Sequence, residues 1–220
     1  MMNLAGPPRR PEIDQYAIKF LIGAIALLLP AIEWGITHGD ITSISGSFWN
    51  EYLLWITRGL WPRNVFVGLL FAIAALLLTY NGENACEMWL TKLAAVAAFL
   101  IAMFPCDGGV KGQEQIVAGV HASFAGVMFL VLGIFCEIFR RRAMRKGHRE
   151  ARWRAVIYSA CGLGIVASFA LFALGAFMKP DTLLLPAEVI GLVSFSVSWL
   201  TASHVLPVIN DRAERKHLFA

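Results

Sequence analysis

RNVFVGLLFAIAALLLTY, from Arg63 to Tyr80, decides the class of fold. It carries one charge, at its first position, and every later polar group lies at its ends. Wound as a helix it spans about 27 Å, close to the roughly 30 Å hydrocarbon core of a bilayer. Trp61-Pro62 stands just before it, where proline suits a first helical turn. A segment of this kind belongs in lipid.

Working outward, the same pattern recurs five more times. The expected spans are about 16–37, 63–80, 87–104, 116–139, 155–178 and 182–205. Pro105, Lys179-Pro180 and Pro207 stop three of them. The whole chain of 220 residues is 58% apolar and 15% charged, with a mean hydropathy of +0.63. Soluble domains carry about 25% charged residues. That excludes a soluble enzyme, a disordered chain and a nucleic-acid binder, so the pI near 9.0 has another cause. The fold expected is all-α, an integral membrane bundle of six transmembrane helices forming a single domain.

Lys and Arg counts set the expected orientation. RRRAMRKGHREARWR, Arg140 to Arg154, holds eight of them against one acid and reads as a basic cytoplasmic loop, 140–154. With that loop inside, both termini fall in the cytoplasm and 15 of the 19 basic residues lie on the inner side. Only Arg58, Arg63, Lys111 and Lys179 remain outside, a clear positive-inside bias. As a topology determinant the loop needs no further role, and a patch for anionic lipid headgroups is the sharper alternative reading. The expected location is the cell membrane, as a multi-pass protein, with membrane lipids as its partners. A membrane-protein partner or a second copy is a further possibility, and nucleic acid is not expected.

The longest outer segment runs from His38 to Pro62. In it Phe48, Tyr52, Trp55, Ile56 and Leu60 recur at helical spacing, opposite Ser47, Asn50, Glu51 and Arg58. That suggests a helix lying in the outer interface. Trp34, Trp89, Trp153 and Trp199 fall near span ends and read as interface anchors.

Ionisable and strongly polar groups inside spans are expensive in lipid, so their depth is informative. Glu33, Arg63, Asn64, Asp107, His121 and Glu188 all fall near the outer ends of their helices, and no such set gathers at the midplane. They define a candidate outward-facing polar pocket. Each also has a local explanation: Arg63 as a partner for Glu33, Asp107 as a turn residue before Gly108-Gly109, and Glu188 at a helix N-terminus. His121 with two carboxylates meets the ligand count for zinc, but zinc sites so poor in histidine are uncommon, and no metal or cofactor is expected. Cys86, Cys106, Cys136 and Cys161 are too scattered for a redox or metal motif. Gly119, Gly126, Gly133, Gly162, Gly164 and Gly175 suggest close helix packing, and Ser194, Ser196, Ser198, Thr201 and Ser203 suggest interhelical hydrogen bonds.

Ser43-Ile44-Ser45, the run from Arg63 to Gly82, AMFPCD (Ala102 to Asp107), GVHASFAGVMF (Gly119 to Phe129) and SVSWL (Ser196 to Leu200) carry a resemblance. Together they resemble an uncharacterised family of bacterial six-span membrane proteins, which implies a bacterial inner membrane. In plan the chain is similar to DRAM-like proteins, with their outer serine motif between spans one and two. That similarity adds Ser45 to the candidate binding residues. More distantly it resembles the CREST superfamily of membrane hydrolases. It departs from them because His121 has no HxxxH partner and the Ser-to-His motif is missing at Ser45. The reading that follows is a protein binding a lipid headgroup or small amphiphile. A lipid-directed hydrolase or transferase and an accessory subunit of a larger membrane complex are the alternatives.

Overall fold

The first helix, α1 (Gln15–Ile36), is opened by Asp14, whose carboxylate accepts from the Tyr16 N–H at 2.8 Å. Five more follow: α2 (Trp61–Thr79), α3 (Ala85–Met103), α4 (Glu114–Lys146), α5 (Arg149–Met178) and α6 (Leu184–Ala202). A short 3₁₀ turn, Asp181–Leu183, leads into α6. This computed structural model describes residues 14–37, 41, 43–46, 61–104, 106, 114–178, 181–206, 209 and 214. All six helices are long and apolar enough to cross a membrane. The interfacial helix expected between His38 and Pro62 lies almost wholly outside the described residues, as does Asp107.

Each helix packs on the next in sequence, and α6 returns against α1, so the six close into a ring. Small residues make that closure possible. Ala94, Ala95, Ala97, Ala98 and Ala102 give α3 a buried face of low volume. A Cβ on Gly164 would collide with the Ser194 side chain, so α5 and α6 pack closely there. Gly119, by contrast, has nothing within 4 Å and is no packing residue. Two of the α6 hydroxyls form the expected interhelical bonds: Ser196 donates to the Gly23 carbonyl of α1 at 2.7 Å, and Ser198 accepts from Cys136 of α4 at 3.4 Å. The outside is apolar. Leu163, Val166 and Phe177 on α5 are 71%, 64% and 87% exposed, surface that only lipid or another membrane protein would cover.

Two sequence expectations need correction. Residues 140–154 are not a loop: α4 continues to Lys146, only Gly147-His148 breaks the chain, and α5 begins at Arg149. Gly147 adopts φ +74°, the left-handed geometry that ends a helix and reverses the chain. At 33 residues α4 is about 50 Å long, so its basic last turns project beyond the hydrocarbon, where charge needs no loop to be solvated. Trp199 is not an interface anchor either. It is fully buried, with Tyr80, Phe135 and Phe195 at ring distances of 5.3, 5.6 and 5.7 Å. α6 is wedged between α1 and α5, and Trp199 lies on its inward side. Trp34, Trp89 and Trp153 are 62%, 68% and 59% exposed near helix ends, as belt residues are.

Candidate functional site

The site is built where α6 begins. Glu188 lies on its first turns, and a carboxylate at that depth needs donors. They come from the segment after α1. The Ser43 hydroxyl stands 3.0 Å from both Glu188 oxygens, and the Ile44 N–H donates to Oε2 at 2.5 Å. The Ser45 N–H donates to Oε1 at 3.3 Å, and the Ser45 hydroxyl makes a short hydrogen bond to the same oxygen. Ser43 Oγ in turn accepts from the Gly46 N–H at 3.0 Å, which closes the turn on itself. Two hydroxyls and two backbone N–H groups therefore wrap one carboxylate. The arrangement satisfies Glu188 without a cation and fixes 43–46 over the end of the bundle.

Beneath this cap lies a cavity of about 500 Å³. Its wall is almost entirely apolar: Leu29 of α1, Phe66 and Leu70 of α2, Ile101 of α3, Ala122, Ala125 and Phe129 of α4, Phe169 and Phe172 of α5, and Leu192 of α6. Along α4 it reaches from Ala118 to Phe129, about 16 Å of helix. Polar groups are confined mainly to one end, where Ser45, His121 and Glu188 meet the lining, with Cys106 nearby and Ser168 on the α5 side. Ser168 is occupied, donating to the Ala187 carbonyl at 2.7 Å.

His121 is oriented by its backbone neighbour. Nδ1 lies 2.7 Å from the Phe104 carbonyl, an atom that only accepts, so Nδ1 carries the hydrogen. In the neutral ring Nε2 then carries no hydrogen, and His121 is among the residues lining the cavity. The end of the cavity thus offers an imidazole acceptor and the hydroxyl oxygen of Ser45.

Comparison with known protein families, curated proteins and solved structures finds no match to this chain. The resemblance to six-span families therefore rests on the quoted motifs alone.

Of the seven residues expected to bind ligand, the structure brings Ser45, His121 and Glu188 to one cavity. Arg63 and Asn64 do not line it; both are exposed on the first turn of α2. Glu33 does not line it either, being wholly buried in α1. Asp107 lies outside the described residues. The pocket expected to be polar is instead an apolar chamber with polar groups at one end. The reason is that Glu188, the carboxylate nearest it, is spent on Ser43, Ile44 and Ser45. Among the described residues no three His, Cys, Asp or Glu side chains gather as a metal site would need. Sequence reasoning singled out the serine segment and Glu188 separately and missed their pairing. One signal could have suggested it: a lone acid in a span must find donors, and two serines flanking one residue are donors on a short turn.

Proposed function

We propose that this protein binds a small amphiphile or single lipid chain, apolar body in the cavity and uncharged polar head at Ser45 and His121. One observation carries the reading: an apolar cavity of about 500 Å³ with Ser45, His121 and Glu188 among its lining residues. That volume falls within the roughly 300–1,000 Å³ typical of small-molecule sites, and few polar groups on an apolar wall is their usual composition. A hydroxyl or amide N–H on the head would donate to His121 Nε2. The positive-inside bias of the chain supports both termini being cytoplasmic and the cavity end facing outward, and the resemblance to bacterial six-span proteins supports a bacterial inner membrane. Membrane lipids are then the natural source of the ligand.

Native mass spectrometry of the protein released from mild detergent tests this directly. Wild type should retain one apolar molecule per chain. Ala125→Trp, which fills the chamber, should lose it while keeping the thermal midpoint within a few degrees. A bare wild-type chain, or equal retention by the filled variant, overturns the proposal.

A second reading, ester hydrolysis, is favoured by one contact. The Ser45 hydroxyl donates to the Glu188 carboxylate beside the same cavity, so a carboxylate adjoins a hydroxyl that could act as a nucleophile. Covalent labelling of Ser45 by a fluorophosphonate, lost in Ser45→Ala, would support it. Absence of labelling with the ligand still bound leaves the binding reading and removes the enzymatic one.

A further inference from the structure

The wall of the large cavity differs from one side to the next. Phe169 and Phe172 of α5 line it and are also 37% and 45% exposed. Facing the cavity does not by itself produce such values: Leu29, Phe66, Leu70 and Ile101 line the same space at 1–6%. The two α5 rings therefore have the cavity on one side and the outside of the bundle on the other. On the α4 side the lining is Ala118, Ala122, Ala125 and Gly126, small residues that are themselves only partly buried.

The neighbouring seams are bridged at this level. His121 of α4 is held to the Phe104 carbonyl at the end of α3, Ser168 of α5 donates to the Ala187 carbonyl of α6, and Glu188 of α6 is bonded to the cap. Among the described residues no hydrogen bond joins α4 to α5 beside the cavity. A Cβ on Gly126 would meet a single atom there, Phe169 Cε1 at 4.0 Å. Further toward the basic end the space closes. A Cβ on Gly191 of α6 would collide with the Phe129 ring, so that ring reaches across from α4, and Gly133 lies against Ile165 and Gly162 against Cys136. Beside the cavity the seam is thus covered by two apolar rings alone. What passes them is set by their chemistry. A charged or strongly polar solute would lose its water there and gain no hydrogen bond in return. A hydrocarbon chain coming from the bilayer meets apolar surface throughout.

We propose that the α4–α5 seam at Phe169 and Phe172 is a lateral portal, through which the cavity takes an alkyl or acyl chain sideways from the bilayer. The portal rests on the binding reading above and narrows the ligand to an uncharged single-chain lipid already dissolved in the membrane. The cap of Ser43, Ile44 and Ser45 on Glu188 stays shut while ligand exchanges.

The test uses the full chain in phosphatidylcholine vesicles, with 1-oleoylglycerol, an uncharged single-chain lipid, as the probe. Native mass spectrometry reads both the occupancy and the exchange of bound probe for its deuterated form. Wild type should retain one 1-oleoylglycerol per chain. Phe172→Ala should exchange it about fivefold faster, the scale set by one lost aromatic contact. Ser43→Ala, which loosens the cap and leaves the seam intact, should exchange at the wild-type rate. If Phe172→Ala exchanges no faster than wild type, or Ser43→Ala accelerates exchange as much, the portal is overturned while the retained probe keeps the binding reading. A wild-type chain that retains no probe overturns both. Phe172 is half-exposed, so the fold should survive its loss. Should Phe172→Ala not fold, Phe172→Trp decides: the larger ring should slow exchange, and a wild-type rate overturns the portal.

Discussion

The two ends of this bundle solve one problem, a carboxylate far from bulk water, in opposite ways. At the cavity end Glu188 is wrapped by hydroxyl and backbone N–H donors from Ser43, Ile44 and Ser45. At the basic end Glu87 and Glu214 are met by Arg142, Lys146 and Arg154. Dipoles satisfy a carboxylate locally and let the adjoining space stay apolar. Ion pairs bring cations, and cations bring a demand for anions. The first end therefore keeps an apolar cavity beside its carboxylate, and the second is a network of ion pairs.

That contrast breaks most visibly at Arg142. Arg142→Ala leaves Glu87, 2% exposed, without its guanidinium, and losing one partner of a buried pair costs about 3–5 kcal/mol. Glu87 keeps its bonds from Asn84 Nδ2 and the Glu83 N–H, so the lower figure is expected. Thermal unfolding in detergent should show a fall of about 10 °C, at roughly 2–4 °C per kcal/mol for a chain of this size. A change below about 1 kcal/mol would mean that the basic end is not held by buried charge.

The cavity end should respond less in stability and more in local motion. Glu188→Ala removes the acceptor for two hydroxyls and two N–H groups, a loss of about 2 kcal/mol given partial rescue by water. Its sharper signature is hydrogen exchange: the amides of Ile44 and Ser45 should exchange much faster, while those at the centre of α3 stay protected. Glu188→Gln, which keeps one carbonyl acceptor, should fall between. Unchanged exchange at Ile44 would show that the carboxylate does not hold this segment.

Acid supplies the smallest and most selective test. Burial holds His204 well below its ordinary 6.5, to about 3, with Arg154 and Lys146 adding to the depression, Glu214 opposing and Lys19 reinforcing it. The unfolded chain takes up this proton near pH 6.5 and the folded one resists it, so stability is fullest above that value and declines as pH falls toward 3. At Glu214 burial pushes the carboxyl up, yet the hydrogen bonds from Lys146 and Arg154 outweigh it and bring it down to about 2. Its contribution is complete above 4.5 and is lost as pH drops through 2. Between about pH 7 and about pH 5 the His204 contribution changes and that of Glu214 does not. His204→Asn should flatten the fall in thermal midpoint over that interval. Asparagine is the suitable replacement because His204 sits at φ +57°, a left-handed conformation it tolerates. An identical pH profile in the variant would remove His204 from the account.

Much of the architecture was legible before any coordinates. Runs such as Arg63 to Tyr80 are dictated by the cost of unpaired backbone in lipid, which leaves a helix as the one local solution. Helix ends were less legible. Polar and charged residues at 140–154 read as loop, although α4 and α5 carry their helices through them, because charge marks the edge of the membrane and not the edge of the helix. Trp199 shows the same limit: its position near a span end was plain, and the side of α6 it occupies was not. For the site, a shared depth was visible for Glu33, Arg63, His121 and Glu188, but depth along a helix says nothing of direction around it. His121 and Glu188 reach the cavity; Glu33 and Arg63 do not line it.

By itself the sequence determined six apolar helices, a strongly basic end and a set of polar groups near the other end, since each follows from local composition meeting lipid or water. Tertiary structure alone decided that Ser43, Ile44 and Ser45 enclose Glu188, 143 to 145 residues away, and that Lys146 and Arg154 close on Glu214. Those contacts depend on how six helices rotate and close into a ring, which is set by the summed fit of small residues such as Gly164 and Ala98 across many neighbours and by no single stretch of chain.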